Sequence, residues 1–179
     1  MKVDANEVKL AELILYVAER LLEDPKGGAT KINKVLFSAE FAHMRLYGVP
    51  ITGVEYQKLK QGPAPRRLVP VRERLISEGA AELLRDRYLG YPLDRLVPRR
   101  KADLALFSLE EIKQVDQAIE ALWNKTAVEV SELSHHEMGW QMVSLGETIP
   151  YEAAFLASGF EVTESMREHA RRLAAQLDR

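Results

Sequence analysis

Two apolar stripes of helical period follow one another near the start of the chain, separated by a few residues that cannot continue a helix. Leu10, Leu13, Ile14, Val17, Ala18 and Leu21 recur at intervals of three and four, which puts them on one helical face. Pro25 and Gly27-Gly28 stop that helix. Ile32, Val35, Leu36, Ala39 and Leu46 then share one face of a second helix, with Gly48 and Pro50 just beyond its end. Asp4 and Glu7 read as a capping box for the first helix, and Thr30 as the N-cap of the second. Helices joined by so short a break pack antiparallel and bury their stripes against each other. A helical hairpin is therefore the expected start of the fold.

The pattern changes after residue 48. Val54 to Lys60 suits a short strand, and Gly62-Pro63-Ala64-Pro65 reads as a break that fixes the turn into the next helix. Leu68, Val71, Leu75 and Ile76 resume the helical period, with Pro70 near the first turn and Gly79 at the end. Residues 81–98 read as a β-hairpin around Leu89-Gly90-Tyr91-Pro92 or as a long basic loop. Ser108 with Glu111, and Thr126 with Glu129, form capping-box patterns ahead of two more helices. Pro150 suits the first position of a short helix, and Thr163 the start of a final one over 163–178. No repeat or linker interrupts the chain, so residues 1–179 are expected to form one domain. Its expected class is mainly α (α+β): a compact helical domain with a small β-hairpin or short strands.

Composition excludes whole classes of chemistry. The 179 residues contain no Cys, so there is no disulfide framework, Cys-based zinc site or thiol nucleophile. No run approaches the 18 apolar residues of a spanning helix. The acidic turn at Asp4 does not suit a signal peptide. A cytoplasmic protein without membrane contact is expected. Adjacent His135, His136 and Glu137 lack the i, i+4 spacing of a helical metal site. A hydrogen-bonded histidine at a helix end, beside Trp140, accounts for them better. No glycine-rich phosphate loop, Walker motif or nucleophile elbow is present. The expectation is no enzyme, no metal and no cofactor.

Charge is uneven although the formal net charge is only −2. Residues 58–101 carry twelve Lys/Arg against five Asp/Glu, while residues 102–179 carry six against fourteen. Arg66, Arg67, Arg72, Arg74, Arg85, Arg87, Arg95, Arg99, Arg100 and Lys101, with Tyr88 and Tyr91 among them, suit a strip that follows a nucleic-acid backbone. The competing account is that these arginines cover apolar surface and pair with the acidic C-terminal third. The near-neutral total favours that account.

Two groups of residues together resemble a known family. The first is Thr30-Lys31-Ile32-Asn33-Lys34-Val35-Leu36-Phe37, then Tyr47-Gly48-Val49-Pro50-Ile51-Thr52-Gly53, Tyr56 and Gly62-Pro63. The second is Phe107-Ser108-Leu109-Glu110-Glu111, then Leu133-Ser134-His135-His136, Trp140 and Gly146-Glu147-Thr148-Ile149-Pro150-Tyr151. Their order resembles the Panacea, or SocA-like, antitoxin domain of bacterial and phage genomes, over about residues 8–157. Ala64-Pro65 stands where the family often has Val after Gly-Pro, and either of the two histidines matches the family histidine. The resemblance implies a mainly helical fold and a non-enzymatic antitoxin. Such a protein binds and neutralises a partner toxin, usually encoded adjacently. One branch of the family is similar to a proteolytic adaptor that delivers its toxin to the ClpXP protease. The residues expected to meet a partner are Tyr56, Lys60, Arg66, Arg67, Arg99, Arg100, His135, His136 and Trp140. Thr30, Lys31, Gly62 and Pro63 are expected to be structural.

Overall fold

A computed structural model describes residues 4–156 of the chain. The expected helix over 163–178 lies outside the described residues. Helix α1, Glu7–Arg20, and helix α2, Ala29–Tyr47, form the antiparallel hairpin, and a 3-10 turn, Leu21–Glu23, lies between them. Hairpin strands β1, Tyr56–Leu59, and β2, Gly62–Pro65, come next, then helix α3, Leu68–Ser77. A longer hairpin follows, β3, Ala81–Tyr88, and β4, Tyr91–Pro98. Helices α4, Leu109–Leu122, α5, Ala127–His135, and α6, Met138–Met142, precede strand β5, Thr148–Ile149, and a 3-10 turn, Tyr151–Phe155. The result is a helical α+β domain with α2 at its centre, packed on α1, α4, α5, β2 and β4.

Several helix ends differ from expectation. The N-cap of α1 is Asn6, whose side chain accepts from the Lys9 amide at 2.9 Å. The Asn6 amide donates to the Thr52 carbonyl, and that tie fixes the extended residue from which the helix starts. Glu7 is thus a first-turn residue, and it pairs with Arg67 instead of closing a box on Asp4. The N-cap of α2 is Gly28, so Thr30 lies inside the first turn. Gly28 serves there because β4 packs onto it: a Cβ would sit 2.6 Å from Leu93 Cδ1. Leu46 is 63 % exposed because the last turn of α2 runs past the core, where Met44 takes the buried position. Pro150 is an N-cap and not the first helical residue. Gly48 does close α2 in the left-handed conformation, and both predicted capping boxes form, at Ser108–Glu111 and Thr126–Glu129.

The sheets refine the reading of 54–65 and 81–98. Gly62-Pro63-Ala64-Pro65, expected as a break before a helix, is strand β2, in register with β1 from Leu59↔Gly62 to Tyr56↔Pro65. The strand order β2-β1-β5 makes β2 an edge, and an edge strand tolerates proline's missing N–H. Residues 81–98 take the hairpin alternative. Their turn residues Leu89 and Gly90 both have positive φ, as a two-residue turn matched to the strand twist requires.

Three polar devices hold these elements together. Phe37, Phe41, Tyr56 and Tyr151 pack ring on ring beneath β1. Beside them the buried Glu40 Oε1 accepts from the Thr52 amide and hydroxyl, the Gly53 amide and the Tyr151 hydroxyl, all at 2.8–2.9 Å. Burial pushes the Glu40 carboxyl up, and those four donors pull it back. At the other end of α2, the fully buried Lys31 pairs with Asp24 at 2.5 Å. Arg95 of β4 donates to the carbonyls of Leu21, Asp24, Pro25 and Gly27, which pins the α1–α2 connection to the hairpin.

Candidate functional site

The residues that carried the family resemblance come from distant stretches of chain, and the fold gathers most of them around one side chain, Lys34. Lys34 lies one turn into α2, on the side that faces β2 and α5, and is only 3 % exposed. Its Nζ donates to the Pro63 carbonyl at 3.1 Å, and no carboxylate among the described residues pairs with it. Burial lowers its ammonium to a pKa of about 8, since an apolar setting penalises the charged form. Gly62 is the residue that leaves room for it. Gly62 has φ +94°, and a Cβ there would meet Ser134 Oγ at 2.2 Å and Lys34 Nζ at 2.7 Å. A glycine is required on both counts.

The corner after α5 closes over the same place. The His135 ring stacks on Trp140, with centroids 4.0 Å apart and planes 19° from parallel. The Trp140 indole N–H donates to the Leu59 carbonyl. Lys58 Nζ sits 3.9 Å over the Trp140 ring and donates to the Val143 carbonyl. Burial, and then the Lys34 ammonium, push the His135 ring below the ordinary imidazole range. The Lys60 main chain pulls the other way. Stacking on Trp140 holds the ring, and its buried Nε2 has no hydrogen-bond partner of good geometry among the described residues. His136, exposed, ends α5.

Two adjoining hollows open along the first turns of α2, one of them beside Lys34. One, of about 240 Å³, is lined by Lys34, Leu59, Lys60, Gln61, Gly62 and Ala64. The other, of about 310 Å³, lies across the start of α2, among Lys26, Gly28, Ala29, Arg72, Leu93 and Asp94. Thr30 and Asn33 line both. A third hollow, of about 440 Å³, continues past Lys26 to Tyr88 and Tyr91 at the tip of the β3–β4 hairpin and to Val128 at the start of α5.

The remaining candidate residues are placed elsewhere. Tyr56, expected to meet a partner, is 1 % exposed and belongs to the core. It faces Phe37 and Phe41 because residue 56 points inward from β1, leaving it no surface to offer. Arg66 holds Gln57, Thr148 and the Gly146 carbonyl across the small sheet, beside Glu55. Arg67 pairs with Glu7, Arg99 with Glu82, and Arg100 with Glu12. Lys101 pairs with Glu19. Among the described residues none of these carboxylate partners lies in the acidic C-terminal third, against expectation: Glu7, Glu12 and Glu19 come from α1, because β4 and the chain after it run alongside that helix, and the others from β3 and the chain just before β1. The acidic third is served by α1 too, through Lys9–Glu111 and Arg20–Asp116.

The sequence reading missed Lys34, Lys58 and Asn33. The signal for Lys34 was a lysine one place before Val35, within an apolar stripe and three residues after Lys31. That spacing sets both lysines on one helical side. Among the described residues, no helix is long and apolar enough to cross a membrane, and no group of three or more His, Cys, Asp or Glu side chains is placed to hold a metal ion.

Comparison with curated proteins and with solved structures finds no significant match. The model of one family, described as antitoxin SocA-like, Panacea domain, matches residues 32–141, which span most of α2, both hairpins, α4, α5 and most of α6. The geometry around Lys34 agrees with that extent, since Gly62, Pro63, His135 and Trp140 all lie within it and converge. This chain belongs to the antitoxin SocA-like family and carries its Panacea domain.

Proposed function

We propose that the protein is the antitoxin of a bacterial or phage toxin–antitoxin pair, which binds a partner toxin and neutralises it by protein–protein contact. The family match over residues 32–141 carries this reading. Inhibition of this kind needs a stable surface of about 800 Å² and no reacting group. A rigid helical core with many ties between distant segments suits such a role. Glu40, Arg95 and the Asp24–Lys31 pair each join segments far apart or on separate elements. The proposed partner is the toxin encoded beside this chain's gene, met in the cytoplasm.

The surface offered to it comprises Lys60, His136 and the exposed part of the Trp140 corner. Arg66, Arg67, Arg99 and Arg100 are engaged within the molecule, so they contribute to a contact only by exchanging partners. The nucleic-acid alternative draws on the same arginines and is weakened by the same pairing.

The test is co-expression of the adjacent gene with and without this chain, followed by pull-down. Direct neutralisation predicts rescue of growth and a complex that co-purifies. Rescue without a stable complex, together with a toxin half-life that lengthens when ClpXP is removed, would replace inhibition with delivery to that protease. A harmless neighbour, or no rescue, would remove the antitoxin reading.

A further inference from the structure

We propose that the two adjoining hollows around the first turns of α2 form a binding site for an oxyanion, a phosphoryl or carboxylate group held between Lys34, Lys60 and Arg72. The inference rests on a contrast in how the molecule treats its cations. Six of the ten basic residues between 66 and 101 are neutralised: Arg66, Arg67, Arg95, Arg99, Arg100 and Lys101 each meet a carboxylate. Lys34, Lys60 and Arg72 have no such partner among the described residues; Lys34 and Lys60 line one hollow and Arg72 the other, and Thr30 and Asn33 line both.

The burial of Lys34 makes the contrast costly. A charged ammonium 3 % exposed, with one carbonyl for company, has lost its water without gaining a counter-charge. An anion entering the 240 Å³ hollow supplies one. Arg72 repeats the pattern, because its Nε is buried with no hydrogen-bond partner. Between them the α2 N-terminus has Gly28 as its N-cap, with no side chain to cap its first amides, and such amides favour negative charge. Thr30 adds a hydroxyl. Asn33 Oδ1 is buried and unpartnered; a half-turn of the amide presents its NH₂ instead. Asp94 is the one carboxylate among the described residues that lines either hollow, and it stands with Lys26 and Arg72 in the hollow on the α2 N-terminal side. Lys31, in that same hollow, is already engaged by Asp24.

The hollows hold a group of the size of one or two phosphates. The 310 Å³ hollow adjoins the apolar hollow at Tyr88 and Tyr91 through Lys26, Pro92, Leu93 and Ala127, so a larger ligand has an apolar surface to follow. This site stands independently of the antitoxin reading and its test needs no toxin.

The experiment is a titration of the whole protein with inorganic phosphate, pyrophosphate and acetate at fixed ionic strength, followed by the amide NMR signals of Thr30, Lys60 and Gly62. Saturating shifts with half-saturation at or below about 1 mM are expected. They should weaken at least tenfold in both Lys34→Met and Arg72→Met, each of which keeps a long unbranched side chain. A thermal midpoint for each variant at or above that of the parent shows that the fold survives. If either variant unfolds, Lys60→Gln, on the exposed rim, replaces it with the same expected weakening. Preference for phosphate over acetate identifies a phosphorylated small molecule as the occupant. Equal binding of acetate identifies a carboxylate, such as an acidic side chain of a partner. Absence of saturation with all three anions, or saturation unchanged in the variants (an adventitious ion only), overturns the site.

Discussion

Lys34 shows how one residue couples position to stability. It sits among Val35, Leu36 and the Gly62 strand because its alkyl stem packs like an apolar residue, while its ammonium reaches the Pro63 carbonyl. The ordinary lysine value is 10.5 and the folded value about 8. Between those two pH values the unfolded chain binds more protons than the native one, so stability rises with pH across that window. Below the folded value the full penalty applies, at most about 3 kcal/mol for a shift of this size. Lys34→Met removes the titrating group and keeps the stem. The variant is expected to be more stable than the parent at pH 7, with a gap that closes as pH climbs from 8 to 10. Urea denaturation of both proteins at several pH values reads this directly. A gap that stays constant with pH would mean that the ammonium is not desolvated in the native state.

At the scale of elements, the α1–α2 connection depends on a strand that arrives from elsewhere in the chain. Arg95 gives one guanidinium to four carbonyls between Leu21 and Gly27, of which those of Leu21 and Asp24 also accept a backbone amide. A lysine has one ammonium and no fork, so it reaches fewer of them. Arg95→Lys is expected to cost about 1–3 kcal/mol and to speed hydrogen exchange at residues 24–28 more than in α4. Uniform exchange throughout would show that the arginine does not hold this turn specifically. The same contacts explain what was legible in advance. Helices α1, α2 and α4 and the boxes at Ser108 and Thr126 follow from local period and local chemistry, while 81–98 was legible only as one of two alternatives, a hairpin or a long basic loop. Strand β2 was hidden because Gly-Pro-Ala-Pro is turn chemistry, and only its edge position, set by β1 and β5, makes it a strand. The candidate site was half legible: Thr30, Gly62, Pro63, His135 and Trp140 stood out as a motif. Lys34 stood inside the same motif run but was not singled out, since a lysine in an apolar stripe is normally a residue at the solvent boundary.

Across the whole molecule, charge segregation along the chain becomes charge pairing in space, with α1 between two charged regions. Its Glu7, Glu12 and Glu19 meet Arg67, Arg100 and Lys101, and its Lys9 and Arg20 meet Glu111 and Asp116. These pairs are not equal. The Lys101–Glu19 pair is open to water and is worth little. The Glu12 side chain is only 9 % exposed and takes both Arg100 nitrogens, at 2.6 and 2.7 Å, and the Asp103 amide. The Arg100 hydrogen bonds, and then that amide, hold its carboxyl below the ordinary value of 4.5 against burial. Because the folded value is depressed, this stabilisation is complete above about pH 4.5 and is lost as pH falls through the folded value. Arg100→Gln leaves a nearly buried carboxylate without its cation. Its expected cost is about 1–3 kcal/mol at pH 7, less than for a fully buried pair because Arg100 is 44 % exposed. The cost should shrink as pH drops below 4.5, and Glu12→Gln in the same chain should recover part of it. Lys101→Gln should change stability far less than Arg100→Gln. Chemical denaturation of the four proteins at pH 7 and pH 4 decides the matter. Equal small losses for both single variants would mean that Arg100 is a free surface cation, available to a toxin without first giving up Glu12.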